Sequence, residues 1–215
     1  MTTEPGDRDP GDLPPTARRI LAAAQDILAE RGYAELTITA ISQVSGVNRA
    51  LVSYYFGGKA GLLAALVETL FQDPAVGLVE EIRATRVGVD RVKGLLDWQR
   101  RVSARDRTNR MLYELLPHAL KDAEVRARFA QEYREYRVID ADCLGAAPHE
   151  LSEQELEALA AVSIAVVEGL GIQRALDPEG FDHDAAWRIW VDVVGGYLAL
   201  PDGEGGRRDA RRRRP

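Results

Sequence analysis

Residues 37–59 read TITAISQVSGVNRALVSYYFGGK, and their spacing spells two short helices around one corner. Thr37 caps the first helix, whose apolar residues Ile38, Ile41 and Val44 recur at i, i+3 and i+6. Ser45-Gly46-Val47 is the break. Glycine supplies the permissive backbone of the corner, and Val47 plugs the angle between the helices. Asn48 is a strong N-cap for a second helix running to Tyr54 or Tyr55. That helix exposes Arg49, Ser53 and tyrosine hydroxyls, with Lys59 just beyond. A helix-turn-helix of this kind lays its second helix in the major groove of DNA.

On the N-terminal side, Ile20, Ala24, Ile27 and Leu28 fall at helical spacing from Thr16, and Gly32 is a natural stop. On the C-terminal side, Gly57-Gly58 breaks the chain and Lys59 starts a helix with Leu62, Leu63, Leu66, Val67 and Leu70 on one face. Asp73-Pro74 predicts a stop and a restart toward Arg83 or Thr85. Further helices are predicted at 89–104, 106–119, 122–143, 152–176 and 182–200, with Pro117 bending or ending its helix. No period-2 strand pattern occurs, so the expected class is all-α. The expected organisation is a tail at 1–15, a three-helix helix-turn-helix DNA-binding head at 16–62, a larger helical ligand-binding and dimerisation body at 63–200, and a basic tail at 201–215. Both tails are rich in turn formers and charge and are expected to be disordered. The Arg-rich end is either a source of nonspecific phosphate attraction or a solvated charged end.

A net charge of −6 suits a DNA binder only after division by region. From Thr16 to Lys59 the bases Arg18, Arg19, Arg31, Arg49 and Lys59 outnumber Asp26, Glu30 and Glu35, and the acidic surplus lies in the body. Cys143 is the only cysteine, so no intrachain disulfide forms, and a small buried hydrophobe is its expected role. No signal peptide or membrane-spanning apolar run is read, and a cytoplasmic protein with no membrane partner is expected.

The stretch from Thr16 to Leu66 resembles the tetracycline-repressor-like (TetR) family of bacterial regulators. The residues that carry the resemblance are ARRILAAAQDILAERGY, Thr37, Ile41, Ser45-Gly46-Val47 and YYFGGKAGLL at 54–63. VVEGLGIQRALDPEGFD looks like the late helices of actinobacterial members. The resemblance implies that Arg49, Ala50, Leu51 and Ser53 approach bases, and that Thr37, Tyr54, Tyr55 and Lys59 hold phosphates. The chain departs from the family at three positions. Asn48 stands where Ser is common, with the cap retained. Leu51 replaces a small polar residue and could meet a thymine methyl. Ser53 replaces a frequent Tyr. Arg49 is left as the main candidate for direct readout, because its fork can bond guanine O6 and N7 at about 1–3 kcal/mol of discrimination. Lys59 at a helix N-terminus suits one phosphate. Of the adjacent Tyr54 and Tyr55, one packs in the head and the other reaches a phosphate; the sequence leaves open which.

One head offers little surface for specificity, so a two-fold homodimer on a palindromic operator is expected. The predicted dimer helices are 152–176, with a seam of Leu156, Leu159, Ser163, Val166 and Leu170, and 182–200, with Trp187, Val191, Val194 and Leu198. Ala165, Gly169, Gly171 and Gly195-Gly196 permit close helix approach. The amphipathic stretch 89–143 predicts a small-molecule site, a region where the family binds inducers. Its candidate residues are Trp98, Arg101, Asn109, Tyr113, Leu116, Phe129 and Tyr133, with Glu168 from a later helix wanting a donor from a ligand or from Arg101. The expected function is a repressor released from its operator by a small-molecule effector. His118, His149 and His183 are scattered without metal spacing, GGKAG is not a P-loop, and G-x-S-x-G is absent. No enzyme, catalytic residue, metal or cofactor is expected.

Overall fold

The computed structural model describes residues 13–198, with side chains throughout except at 73–76 and 78–84. The expected tails therefore lie outside the described residues, apart from the few positions adjoining the helices. The described residues are all-helical, as expected. The order is α1 (Pro15–Arg31), a 3-10 turn (Tyr33–Glu35), α2 (Ile38–Ser45), α3 (Arg49–Phe56), α4 (Lys59–Ala84), α5 (Val89–Ser103), α6 (Asp106–Ala119), α7 (Ala123–Leu144), α8 (Glu153–Leu176) and α9 (His183–Tyr197).

Local signals place most of the boundaries. Pro15 occupies the first turn of α1, where its missing N–H costs nothing. Asp122 caps α7 by accepting from the backbone N–H groups of Glu124 and Val125. Ser152 and Glu155 form a reciprocal capping box on α8. Pro117 stands in the last turn of α6, which spans the predicted 106–119. The helix continues to Ala119, because a proline so near the end removes a bond only from the last turn.

The stop expected at Asp73-Pro74 does not occur: α4 runs unbroken from Lys59 to Ala84. A proline's fixed φ fits a helix, and its harm is the loosened carbonyls one turn earlier. The carbonyl that loses its helical donor is that of Leu70; the stretch packs on α7, where the Tyr136 hydroxyl donates to the neighbouring Phe71 carbonyl at 2.6 Å.

Two apolar cores result. The first joins Ile20, Ile27, Leu36, Ile41, Val47 and Val52 of the head to Leu62, Leu66 and Phe71 of α4, and reaches Leu115 of α6 and Phe129 of α7. The second holds Leu95 and Trp98 of α5, Leu144 of α7, Ala160 of α8, and Trp187 and Val194 of α9. The helix α4 is therefore built into the head, yet its later turns meet the body.

This arrangement corrects the predicted dimer seams. Leu159, Ser163, Trp187, Val194 and Leu198 are buried within the chain's own fold. Gly171 likewise faces inward, where an added Cβ would meet the Tyr113 hydroxyl at 2.7 Å. The two predicted helices instead present other faces outward. Ala165 and Gly169 lie on the α8 face with exposed Val162, Ile172 and Leu176, and α9 exposes Ile189, Val193 and Tyr197. Cβ atoms at Gly169 and Gly195 would meet nothing within 4 Å. Both faces of these helices are apolar, so periodicity alone could not tell the covered face from the open one; of the predicted seam, Val191 stays exposed.

Candidate nucleic-acid interface and ligand cavity

The corner at residues 45–48 closes through short-range bonds. Gly46 takes φ 66°, a left-handed conformation that favours glycine. The Ser42 hydroxyl donates to the Val47 carbonyl at 2.7 Å, and the Val47 N–H donates to Ser45 Oγ at 3.2 Å. Arg19 on α1 donates to the Ser45 carbonyl at 2.7 Å, which ties the end of α2 to the first helix. Thr37 and Asn48 cap α2 and α3 by accepting from the N–H groups of Ala40 (3.1 Å) and Ala50 (2.9 Å). Val47 and Val52 are buried beneath the corner.

Arg49, Ala50, Ser53 and Tyr54 stand exposed on one stripe of α3. Tyr54 is 77% exposed, whereas Tyr55 packs against the head core. The pair meets edge to face with ring centroids 5.0 Å apart. Leu51 is half-buried and also packs on the core. Its apolar character has a packing cause, and it is not offered on the free stripe. Thr37 is exposed at the start of α2. The Lys59 ammonium lies 4.5 Å from the Tyr33 ring centroid, and Tyr33 stacks on His118 of α6 with centroids 3.3 Å apart. Burial, then the Lys121 and Lys59 charges, hold the His118 imidazole below its usual range, so a neutral ring meets Tyr33 at pH 7. The Glu114 carboxylate accepts from the Tyr33 N–H at 2.9 Å, adding a second tie between head and α6.

The body holds a cavity open to solvent, about 610 Å³ of space with the solvent at its mouth included. Leu70 and Phe71 of α4, Trp98, Gln99 and Val102 of α5, Thr108, Asn109 and Leu112 of α6, Tyr136 and Asp140 of α7, and Ile164, Val167 and Glu168 of α8 line it. Of the sequence candidates, Trp98, Asn109 and Glu168 are on this wall. Arg101 is not; it pairs with Asp97 one turn away. Leu116 and Phe129 belong to the first core. Tyr133 and Tyr113 lie behind the wall. The Tyr133 hydroxyl donates to Glu168 Oε1, and the Tyr113 hydroxyl donates to the Glu168 carbonyl at 3.3 Å. The donor to Glu168 is thus Tyr133, not Arg101. Burial pushes the Glu168 carboxyl above its usual range, partly opposed by that bond.

Asp140 is the charged wall residue that sequence reading missed. It sits in a charged run, REYRVIDADCL, where an acid reads as solvated surface, yet it is 1% exposed. Burial pushes its carboxyl up to about 7, against a lowering bond from Gln99. Folding therefore favours the protonated acid. The resulting penalty is absent below about pH 4, grows as pH rises, and is complete above pH 7. Asp140→Asn should remove it, stabilising the protein at pH 8 by at most roughly 4 kcal/mol and by less than half of that at pH 5. Thermal melts at both pH values check this, and an equal gap at the two would contradict it.

Residues 20–66 match the family model described as bacterial regulatory proteins, tetR family. Residues 89–199 match that of the BetI-type transcriptional repressor, C-terminal. The chain belongs to the TetR family of bacterial transcriptional regulators, a family of regulators and not of enzymes. Within it the body is of the BetI type. A curated relative, the HTH-type transcriptional regulator BetI 1 of Chromohalobacter salexigens, is 27% identical over 195 residues, covering 88% of this chain and 93% of the relative. Among solved structures, a transcriptional regulator from Pseudomonas aeruginosa aligns with a TM-score of 0.71 at 18% identity, covering 88% of this chain and 94% of that one. A regulator from Saccharomonospora viridis in complex with choline aligns at 0.67 and 20% identity, covering 82% and 94%. At these identities the structural likenesses show the fold. Among the described residues, no single helix is long and apolar enough to cross a membrane.

Proposed function

We propose that this transcriptional regulator is a homodimeric repressor, that residues 16–62 form its DNA-binding head, that α3 reads a palindromic operator, and that a small molecule in the body cavity releases it. The observation that carries the reading is the free stripe of α3. Arg49, Ala50, Ser53 and Tyr54 stand clear while the rest of the helix packs on the head. Arg49 is the base reader, Ala50 allows close approach, and Asn48 and Thr37 present helix N-termini to phosphates. Lys59 and Tyr54 add phosphate contacts. Lys59 leaves the Tyr33 ring only at the modest cost of an exposed cation–π contact.

Dimerisation through α8 and α9 is supported by their outward apolar faces, with open space above Gly169 and Gly195. Release is supported by the placement of α4. Leu70 and Phe71 belong both to the core that continues into the head and to the cavity wall, and Tyr136 on that wall bonds the Phe71 carbonyl. A ligand that prefers another Tyr136 position shifts α4, and with it the spacing of the heads, only as far as its differential affinity allows. That choline is bound by a structural relative makes a small organic molecule a reasonable effector.

Selection of bound fragments from random DNA tests the reading. A palindrome should emerge. Arg49→Ala should relax base preference at one position per half-site by about 1–3 kcal/mol, while Lys59→Ala weakens all sequences alike and lowers the salt slope by about one. Binding with no sequence preference, or equal loss of preference in both variants, would count against it.

A further inference from the structure

The cavity wall carries two carboxyls, Asp140 and Glu168, and neither lysine nor arginine. Glu168 is supplied with a donor by Tyr133. Asp140 is only half supplied. Gln99 Nε2 donates to Asp140 Oδ2 at 2.6 Å, and the Ser163 hydroxyl donates to Gln99 Oε1 at 2.9 Å. The relay from Ser163 fixes which end of the Gln99 amide faces the carboxyl, so Asp140 is held in one orientation. Its Oδ1 is buried and has no partner among the described residues. On the same wall, Trp98 Nε1 is also buried and unpartnered. The other unpaired buried side-chain atoms, on Arg91, Arg128 and Trp190, belong to residues outside this wall.

Buried polar atoms are almost always hydrogen-bonded, and an unpaired one is costly. The residues of this wall therefore carry one unpartnered acceptor, one unpartnered donor, an acid without a basic partner and the aromatic groups of Phe71, Trp98 and Tyr136. A neutral apolar molecule answers none of the polar demands. A quaternary ammonium answers the charge and the aromatic faces, but it has no N–H for Oδ1. A protonated amine answers all of them, and a neighbouring hydroxyl or carbonyl on the same molecule would accept from the Trp98 N–H.

We propose that the cavity takes a small protonated amine that donates an N–H to Asp140 Oδ1, in preference to a quaternary ammonium of the same shape. The proposal rests on the effector reading above and names the effector's chemical class. Burial holds Asp140 partly protonated near neutral pH, and an approaching cation favours the carboxylate, the released proton passing to the solvent buffer.

Calorimetry on the full chain tests it with two matched pairs, N,N-dimethylethanolamine against choline and N,N-dimethylbenzylamine against benzyltrimethylammonium. The uncharged 3,3-dimethylbutan-1-ol serves as a shape control. Within at least one pair the protonated amine should bind about tenfold tighter or more, as expected for one charge-assisted bond to a buried acceptor. The neutral alcohol should bind weakest. Asp140→Asn should erase the preference, and Ser163→Ala, which only loosens the relay, should reduce it. The ranking in the unaltered protein is informative even if a variant folds poorly. Quaternary ligands binding as tightly as the amines, no saturable binding by any amine at millimolar concentration, or an unchanged ranking in Asp140→Asn would overturn it. Operator release is measured separately. Amines that bind in this order but leave the protein on DNA would sink the release reading alone, whereas release by neutral molecules with no such ranking would sink this one alone.

Discussion

Val193→Asp is expected to yield a folded monomer whose operator affinity is about a thousandfold lower. Val193 lies in the middle of α9 and is 51% exposed in the single chain, so the aspartate is solvated there and the fold is kept. In a two-fold interface the same residue occurs on both sides, so one substitution buries two like charges. Unpaired buried charges cost several kcal/mol each, more than a helix-pair interface is expected to spare. Loss of the partner removes the second half-site, whose effective concentration contributes a factor of about 10² to 10⁴ to binding. Val162→Asp on α8 should act alike, since its side chain shares the outward face. Light scattering with an operator titration reads both quantities. A dimer that survives both substitutions would place the interface elsewhere, whereas a variant that fails to melt cooperatively would show that Val193 serves the monomer's own fold.

Gly61→Ala should destabilise the protein by roughly 1–3 kcal/mol or more, against the direction expected from helix propensity. In an open helix the exchange gains about 1 kcal/mol. At Gly61, however, an added Cβ would fall 1.9 Å from the Phe56 carbonyl oxygen. That oxygen is backbone at the end of α3, so relief requires the α3–α4 junction to open. The head would lose stability, and α3 would lose its fixed angle to α4. Gly94→Ala on α5 is the control, because its nearest neighbour would be the Thr85 hydroxyl at 3.8 Å, an ordinary contact. That variant should be stabilised by about 1 kcal/mol. Denaturant midpoints for the pair decide the matter, and a stabilised Gly61→Ala would mean that the junction yields freely.

The ion-pair triad on α4 and α7, of which Glu132 is buried, offers a weaker effect of the same kind as Asp140. Arg128 contacts Glu68 and Glu132 at 3.0 Å each. Burial pushes the Glu132 carboxyl up to about 7 in spite of the Arg128 charge. With its folded value raised, Glu132 adds a penalty that grows between about pH 4.5 and 7 and persists above. Glu132→Gln should therefore gain less at pH 8 than Asp140→Asn, because the arginine partner it abandons is left short of a bond.

Particular elements show what was readable. The corner at 45–48 was legible because its causes are local: the Thr37 and Asn48 caps act within three residues, and Gly46 needs only its own φ. The outcome at Pro74 was not legible, since whether a helix continues past a proline depends on what packs on its flanks, here α7, whose Tyr136 bonds the Phe71 carbonyl 65 positions away. The α8 and α9 faces failed for a related reason. Both sides of those helices are apolar, and periodicity cannot say which side the rest of the chain already covers. The choice between Tyr54 and Tyr55 required the head core, which Tyr55 joins and Tyr54 does not.

The helix-turn-helix, the all-α class and the flanking helices could be read along the chain, because capping, glycine conformation and 3.6-residue periodicity act between near neighbours. Which residues wall the cavity and which faces remain open follows from helix packing alone. The relay from Ser163 to Gln99 to Asp140 spans separations of 64 and 41 residues. An aspartate in a charged run becomes a buried, half-partnered acceptor only when three helices close around it. Burial is a property of the packed chain, and charge in a low-dielectric wall takes its meaning from neighbours that sequence order does not reveal.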